Sequence, residues 1–287
     1  MNSFINNERA ERRARSYENE SAALIQEGGY ISPTPNLWED ILIGVVLKKP
    51  ILLKGPSGSG KTKLAQSISH YFNQPMHSVN CSVDLDAESL LGFKTINVRD
   101  GQSIIEFVEG PVVRAMKEGH ILYIDEINMA KPETLPILHS VLDHRRMLTN
   151  PFTGEVIHAH PNFTVLAAIN EGYVGTSPMN EALKNRFISF SIPYLSGEQL
   201  HKIIQSLFPE ADTILVETIM NINEDLKKQV MNGLLAEEAA SVRSLLDAIA
   251  LAEHMPVRRA IQYAIAEKLE DRMERKLIME LVETWVK

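Results

Sequence analysis

The sequence has one cysteine, few aromatic residues and no long apolar run among its 287 residues. Cys81 has no partner for an internal disulfide and cannot build a cysteine zinc site, so a reducing cytoplasm is the expected location. The longest apolar run, residues 41–47, is far shorter than the roughly 20 residues that a membrane-spanning helix needs. The first residues also lack the apolar segment of a secretory signal. These absences predict a protein without a membrane span.

Basic residues are also in the minority, since 29 Lys and Arg face 37 Asp and Glu, which gives a formal net charge of −8. A protein that binds nucleic acid without sequence specificity needs a basic surface. A protein that stacks single strands needs aromatic side chains, and these make up only 6% of the chain. The composition therefore argues against nucleic acid as a partner. In other respects it is that of an ordinary globular protein.

Three segments differ in pattern. Residues 1–29 are polar and carry charges of both signs, which predicts an N-terminal polar arm, either a solvated helix or a mobile segment ending at Gly28-Gly29. Residues 30–195 alternate short β-branched runs with helical stretches, as is typical of a parallel α/β sheet. Residues 196–287 have helical patterns without strand signals, with a break expected near Pro256.

Within the α/β segment, five runs are predicted to be strands of the sheet: residues 51–54, 76–80, 120–124, 163–168 and 187–191. Two further segments are predicted to be inserted hairpins. The first covers residues 94–107 and turns at Arg99-Asp100-Gly101, and the second covers residues 147–158 and turns at Pro151-Phe152-Thr153-Gly154.

A glycine-rich loop follows the first predicted strand and precedes a helical run. Glycines let backbone N–H groups turn toward phosphate oxygens, and the following helix adds its positive N-terminal end. Lys61 would reach the β- and γ-phosphates, and the hydroxyl of Thr62 would bind Mg²⁺. The loop fits the pattern G-x-x-x-x-G-K-[ST] with Gly55, Pro56, Ser57, Gly58, Ser59, Gly60, Lys61 and Thr62.

Polar side chains end two later strands. Asp125 and Glu126 follow the apolar run at 120–124, and Asn170 follows the run at 163–168. Asp125 can hold the hydrated Mg²⁺ that Thr62 also touches. Glu126 points elsewhere and can orient or deprotonate an attacking water. Asn170 would contact the γ-phosphate or that water, although a capping or turn role is the alternative for an isolated asparagine.

Other segments match a known family in order and spacing. Together with the glycine-rich loop they resemble AAA+ ATPases of the MoxR type, most closely the CbbQ/NirQ/NorQ branch, from about residue 30 to the end. The segments are DLDAESLLG (84–92), EGPVVRAMKEGHILYIDEIN (109–128), LDHRRMLTNPFTGEVIHAHPNF (142–163), NEALKNRF (180–187) and SVRSLLDAI (241–249).

This resemblance implies a P-loop α/β core with a five-stranded parallel sheet and inserted hairpins, followed by a small all-α lid. It also implies that Arg186 is an arginine finger acting on a neighbouring subunit and that Arg243 is the nucleotide-sensing arginine of the lid, called sensor 2. Arg258 and Arg259 are rivals for the second role. The adenine pocket is expected at residues 30–34.

The family implies an ATP- and Mg²⁺-dependent hexamer that activates a client enzyme or matures its metal cofactor. A von Willebrand factor A-domain protein would serve as adaptor. A nucleic-acid-associated AAA+ motor subunit shares the same core and is the main alternative, although the acidic lid and few aromatics argue against it. A nucleotide-gated scaffold that barely hydrolyses ATP and a small-molecule kinase are weaker alternatives, because Lys61, Asp125 and Glu126 are all present.

Overall fold

The computed structural model describes residues 3–34, 36–81, 85–99, 102–170, 179–195 and 197–286. Its strands are, in chain order, β1 (Ile51–Gly55), β2 (Met76–Asn80), β3 (Gly92–Arg99), β4 (Gln102–Glu109), β5 (Ile121–Asp125), β6 (Met147–Thr149), β7 (Val156–His158), β8 (Thr164–Asn170) and β9 (Ile188–Ser191). Its α-helices are α1 (Ser3–Arg13), α2 (Asn19–Ala22), α3 (Leu37–Val46), α4 (Lys61–Phe72), α5 (Ala87–Leu91), α6 (Pro111–Glu118), α7 (Leu135–Val141), α8 (Glu181–Lys184), α9 (Gly197–Leu207), α10 (Thr213–Met231), α11 (Val242–Ala252), α12 (Val257–Ala264) and α13 (Arg272–Trp285).

The central sheet contains the five strands that the sequence predicted, in the order β2-β5-β8-β1-β9. All neighbouring pairs are parallel, so the predicted fold class is confirmed. The register places Gly55 beside Asn170 and Asn80 beside Asp125. The strands therefore end together, and the loops that follow them meet at one edge of the sheet.

Apolar side chains cover both faces of this sheet, which explains the nearly continuous hydrophobic runs of its strands. Along β1, Leu52 packs into one core, whereas Ile51 and Leu53 pack into another on the opposite face. Helices α6 and α7 contribute to the first core, and helices α3 and α4 contribute to the second. The sheet is thus the middle layer of three.

Two antiparallel hairpins project from this core, as predicted. The first pairs β3 with β4 between α5 and α6, and it is two residues longer at each end than the sequence indicated. Asp100 and Gly101 of its predicted turn lie outside the described residues. The second pairs β6 with β7, and Gly154 in its turn has a φ of 75°.

The base of the β3–β4 hairpin is tightly closed. The N–H of Gly110 donates to the carbonyl of Leu91 at 3.0 Å. A Cβ atom on Gly92 would lie 2.1 Å from the carbonyl oxygen of Val108, and one on Gly110 would lie 2.5 Å from that of Leu90. Only glycines allow the chain to enter and leave the hairpin at this separation.

The N-terminal segment is not the solvated or mobile arm that its composition predicted. Ile5 of α1 is buried in the core beside α3 and α4. Arg12 is 1% exposed, and its guanidinium donates to Glu8 and Gln74, both at 2.8 Å. The side-chain amide of Gln74 in turn donates to the carbonyl of Gly119 at 2.7 Å. Polar residues thus bind the segment to the loops that precede the strands. Composition cannot predict this, because it does not show which charged residues are buried with partners.

Residues 197–286 form α9 to α13 around two apolar cores of their own. One core contains Leu245 and Ile249 of α11. The predicted break is also present, because α11 ends at Ala252 and α12 begins at Val257. Across the described part of the chain, none of the helices combines the length and apolarity required to cross a bilayer.

Candidate nucleotide site

A cavity of about 790 Å³ opens at the edge where the parallel strands end. The glycine-rich loop forms its floor, residues 27–31 line one side, and α9 and α11 line another. Asp125, Glu126 and Asn170 also line it, so the structure brings together the side chains predicted from three separate strands. Arg243 of α11 faces the same cavity.

The loop between β1 and α4 has the strained geometry of a phosphate cradle. Gly58 and Gly60 have φ values of 77° and 91°, which other residues adopt only at a cost. A Cβ atom on Gly58 would lie 2.3 Å from the hydroxyl of Ser241, which precedes α11. The loop therefore touches the helical C-terminal region directly, and the two sides of the cavity meet there.

Lys61 is turned back over this loop. Its side chain is 6% exposed, and its ammonium donates to the carbonyls of Gly55 at 2.8 Å and Pro56 at 2.7 Å. These oxygens stabilise a buried positive charge. Phosphate oxygens are stronger acceptors for an ammonium group than carbonyls, so an anion in the cradle would compete for it. The arrangement fits a polyphosphate.

Thr62 and Asp125 form the predicted Mg²⁺ side of the cavity. The hydroxyl of Thr62 lies 3.1 Å from that of Tyr123, two residues before Asp125 on β5. Burial raises the pKa of Asp125 because it disfavours the charged carboxylate. A nearby cation would have the opposite effect and favour the charged form. In the described residues, no three His, Cys, Asp or Glu side chains cluster as a complete metal site. A cation here would take its remaining ligands from phosphates and water, as Mg²⁺ commonly does.

Glu126 and Asn170 form a pair beside the cradle. The amide of Asn170 donates to a carboxylate oxygen of Glu126 at 3.2 Å. Glu126 has a φ of 51°, an uncommon left-handed backbone for a glutamate, while its N–H donates to the Asp125 carboxylate at 3.0 Å. This backbone turns the two adjacent carboxylates in different directions. Such strain is often kept where a side chain must be aimed.

Only part of the segment expected to form the adenine pocket lines this cavity. Of the expected residues 30–34, Tyr30 and Ile31 line it, preceded by the two glycines at 28 and 29. Further apolar lining comes from Leu195, which follows β9, and from the helical C-terminal region. The helical residues are Ile203, Leu207, Val242 and Leu246, and the last two belong to the segment 241–249 quoted for the family resemblance.

Arg243 is the one of the three candidate lid arginines that lines the cavity. Arg258 instead pairs with Glu283 of α13 at 3.1 Å. Sequence reasoning missed Asn80, which ends β2 beside Asp125 and lines the cavity too. Its place at the end of a predicted strand was the available signal.

Arg186 does not join this cavity. It follows α8 and precedes β9, and the N–H of Ile188 donates to the carbonyl of Pro50, just before β1. Arg186 therefore lies at the amino edge of the sheet. The five residues of β1 separate it from the cradle by roughly 15 Å at about 3.3 Å per residue. There it lines a second cavity of about 500 Å³ with Lys48, Lys49 and Arg146.

Comparisons with known proteins agree with this arrangement. The AAA domain of the dynein-related subfamily matches residues 50–187, from the start of β1 to the residue after Arg186. The chain is also similar to NtrX from Brucella abortus, with a TM-score of 0.52 and 16% identity over 91% of this chain and 62% of NtrX. That likeness concerns the fold alone.

The chain belongs to the AAA+ ATPase family. It is 56% identical over 265 residues to the uncharacterized protein YojN of Bacillus subtilis, and the match covers 92% of this chain and 87% of YojN. It is likewise 56% identical over 255 residues to an uncharacterized protein of Staphylococcus epidermidis, covering 88% of this chain and 97% of the relative.

Proposed function

We propose that the protein is an ATP-hydrolysing, ring-forming AAA+ chaperone of the MoxR type, closest to the CbbQ/NirQ/NorQ branch. It would bind ATP with Mg²⁺ and remodel or activate a client enzyme, with a von Willebrand factor A-domain adaptor. Residues 30–195 would be the ATPase core, residues 196–287 the lid, and residues 1–29 an N-terminal segment that packs on the core through Ile5. The Glu126–Asn170 contact beside the phosphate cradle is the observation that carries the proposal.

Hydrolysis is the reaction that this pair suits. Glu126 can accept a proton from a water, and the Asn170 amide holds the carboxylate in place while its second N–H is available to the water or the γ-phosphate. Lys61 and Arg243 would bear on the phosphates from opposite sides of the cavity. A small-molecule kinase would need room for an acceptor beside the γ-phosphate, where Glu126 and Asn170 stand.

The position of Arg186 supports the proposed ring. An arginine at the amino edge cannot reach the cradle of its own subunit, but it can reach that of a neighbour packed head to tail. Such heterologous contacts repeat until a ring closes, and the family resemblance suggests six subunits. The guanidinium would stabilise charge on the γ-phosphate of the neighbour.

The β3–β4 hairpin supports a protein client. Ile96 and Ile105 face each other across the hairpin and are 69% and 72% exposed, and Val98 on the same face is equally open. Exposed apolar side chains in a group mark contacts with other proteins. The ribbon carries more acids than bases, since Asp100, Glu106 and Glu109 outnumber Lys94 and Arg99, so a nucleic-acid motor is less favoured.

The test is a client trap. Glu126→Gln keeps the shape of the side chain and removes the base, so the variant should bind ATP with nearly wild-type affinity while turnover falls at least about 100-fold. Cross-linked ATP-bound assemblies of this variant should retain client proteins from a cell extract, identified by mass spectrometry. ATP binding is measured by calorimetry and turnover by phosphate release.

The matched control adds Ile96→Ser and Ile105→Ser to the Glu126→Gln chain. This form should bind ATP equally well and retain fewer proteins, because only the exposed hairpin surface changes. Wild-type turnover in Glu126→Gln would show that another group is the base. Equal retention with and without the serine substitutions would remove the hairpin from client binding.

A further inference from the structure

Tyr123 is a buried polar residue in the middle of an apolar strand. Its side chain is 1% exposed and packs in the core between the sheet and α4. Its strand neighbours Leu122 and Ile124 are purely apolar and belong to the opposite core. Phenylalanine would fill the same space, so the hydroxyl is the part that packing leaves unexplained.

That hydroxyl is directed at the Mg²⁺ side of the cavity. It lies 3.1 Å from the hydroxyl of Thr62. Residues two apart on a strand point to the same face, so Tyr123 and Asp125 approach Thr62 together. The phenol therefore contacts one predicted metal ligand, Thr62, and shares a strand face with the other, Asp125.

Hydrogen-bond chemistry gives this contact a direction. A threonine hydroxyl has one proton and two lone pairs, and a bound cation would use one lone pair. A phenol is protonated near neutral pH, so Tyr123 can donate to the second lone pair of the Thr62 hydroxyl, 3.1 Å away. The proton of the Thr62 hydroxyl is then left for an acceptor such as Asp125. The hydroxyl is thereby held in the orientation in which its free lone pair faces the cation.

We propose that Tyr123 is a positioning residue for the Mg²⁺ that accompanies the nucleotide. It orients Thr62, beside Asp125, without touching the ion, in the manner of outer ligands that align inner ones. This inference rests on the nucleotide site of the proposed function. It does not require that the protein remodels a client or even that it hydrolyses ATP quickly.

The test uses a fluorescent ADP analogue whose affinity for the protein is expected to rise when Mg²⁺ is added. The Mg²⁺ concentration that gives half of this rise is measured for Tyr123→Phe and for wild type. Losing an outer partner of a metal site typically costs 10- to 100-fold in metal affinity, and we expect a shift in that range. Affinity for the analogue in EDTA should stay unchanged, as should the melting temperature. Tyr17→Phe, which removes a phenol at the other edge of the sheet, should match wild type throughout.

A double-mutant cycle with Thr62→Val separates orientation from packing. If Tyr123 acts through Thr62, the shift from Tyr123→Phe should largely vanish when the threonine hydroxyl is already gone. An unchanged Mg²⁺ requirement in Tyr123→Phe, or full additivity with Thr62→Val, would overturn the proposal. Tight nucleotide binding by the wild type without any need for Mg²⁺ would overturn it too. Every measurement in this test is of nucleotide or Mg²⁺ binding. The result can therefore be interpreted even if the protein proves not to be a chaperone.

Discussion

The two edges of the parallel sheet are built in different ways. At the carboxyl edge, each functional group belongs to a short motif that directly follows a strand, as with Lys61 after β1 and Asp125 at the end of β5. At the amino edge, the loops are joined by contacts between distant parts of the chain. Gln74 links Arg12 to the carbonyls of Gly119 and Asn162, across 45 to 88 residues.

The electrostatic character of the edges differs as well. The carboxyl edge presents two carboxylates around one buried lysine, a setting for a phosphate and its cation. The amino edge presents a cavity with Lys48, Lys49 and Arg186 in a chain whose net charge is −8. In the head-to-tail ring that we propose, the carboxyl edge of one subunit would hold the nucleotide and the amino edge of its neighbour would supply Arg186.

The largest expected effect comes from removing Arg186 at the amino edge while the carboxyl edge is left intact. Arg186→Ala should bind ATP almost normally and hydrolyse it roughly 10³- to 10⁵-fold more slowly, the range for arginines supplied to phosphoryl-transfer sites. Mixing it with a Lys61→Ala chain should recover part of the activity, because each supplies what the other lacks. Phosphate release across mixing ratios, with subunit exchange verified, measures this.

Lys184→Ala is the control for the Arg186 experiment, since it removes a neighbouring cation that forms only an exposed pair with Glu181. Its turnover should remain close to wild type. An absence of recovery in every mixture would mean that Arg186 acts within its own subunit or only structurally, and the two edges would then have no functional connection.

A smaller effect should follow from loosening the amino edge. Arg12→Ala would leave Glu8 and Gln74 without their buried partner, which should lower the free energy of unfolding by about 3 kcal/mol. Urea unfolding measures this, with Arg13→Ala, an exposed neighbour, expected within about 0.5 kcal/mol of wild type. Nucleotide affinity should be unchanged below the unfolding transition. Identical unfolding curves for Arg12→Ala and wild type would restore the polar-arm interpretation.

The smallest effect concerns pH at the same edge. His120 stacks on His77, with the ring nitrogens 3.1 Å apart, and Tyr17 covers it from the N-terminal segment. Burial, reinforced by His77 and nearby arginines, lowers the pKa of His120 to about 3. Between about pH 6.5 and 3 the unfolded chain therefore binds a proton that the folded chain does not. Stability should fall on acidification by at most about 1.4 kcal/mol per pH unit.

His120→Phe keeps the ring contacts and removes that proton site. Between about pH 7 and pH 5 the variant should lose less unfolding free energy than wild type, as urea titrations at each pH would measure. His144→Phe is the matched control, because it makes the same substitution at a side chain that is 90% exposed. Parallel pH profiles for His120→Phe and wild type would refute the assignment.

What the sequence could predict follows the same division. The five strands, the cradle, and the convergence of Asp125, Glu126 and Asn170 depend on local patterns, and the structure confirms them. The burial of Arg12 depends on Gln74, 62 residues away, so the local pattern predicted a solvated charged helix.

Tyr123 has the sequence context of an ordinary core residue of a strand. Its polar contact is with a helix, and strand periodicity gives no information about that.

The closed neck of the β3–β4 hairpin bears on how force would pass through the molecule. Gly92 and Gly110 pack against opposing backbone, so the base of the hairpin is rigid. The hairpin is fixed at that end only, between α5 and α6. Any tilt of α6, whose chain runs on into β5 and the Asp125-Glu126 pair, would be magnified along the ribbon at the exposed side chains of Ile96, Val98 and Ile105. A load on those side chains would act on the same helix.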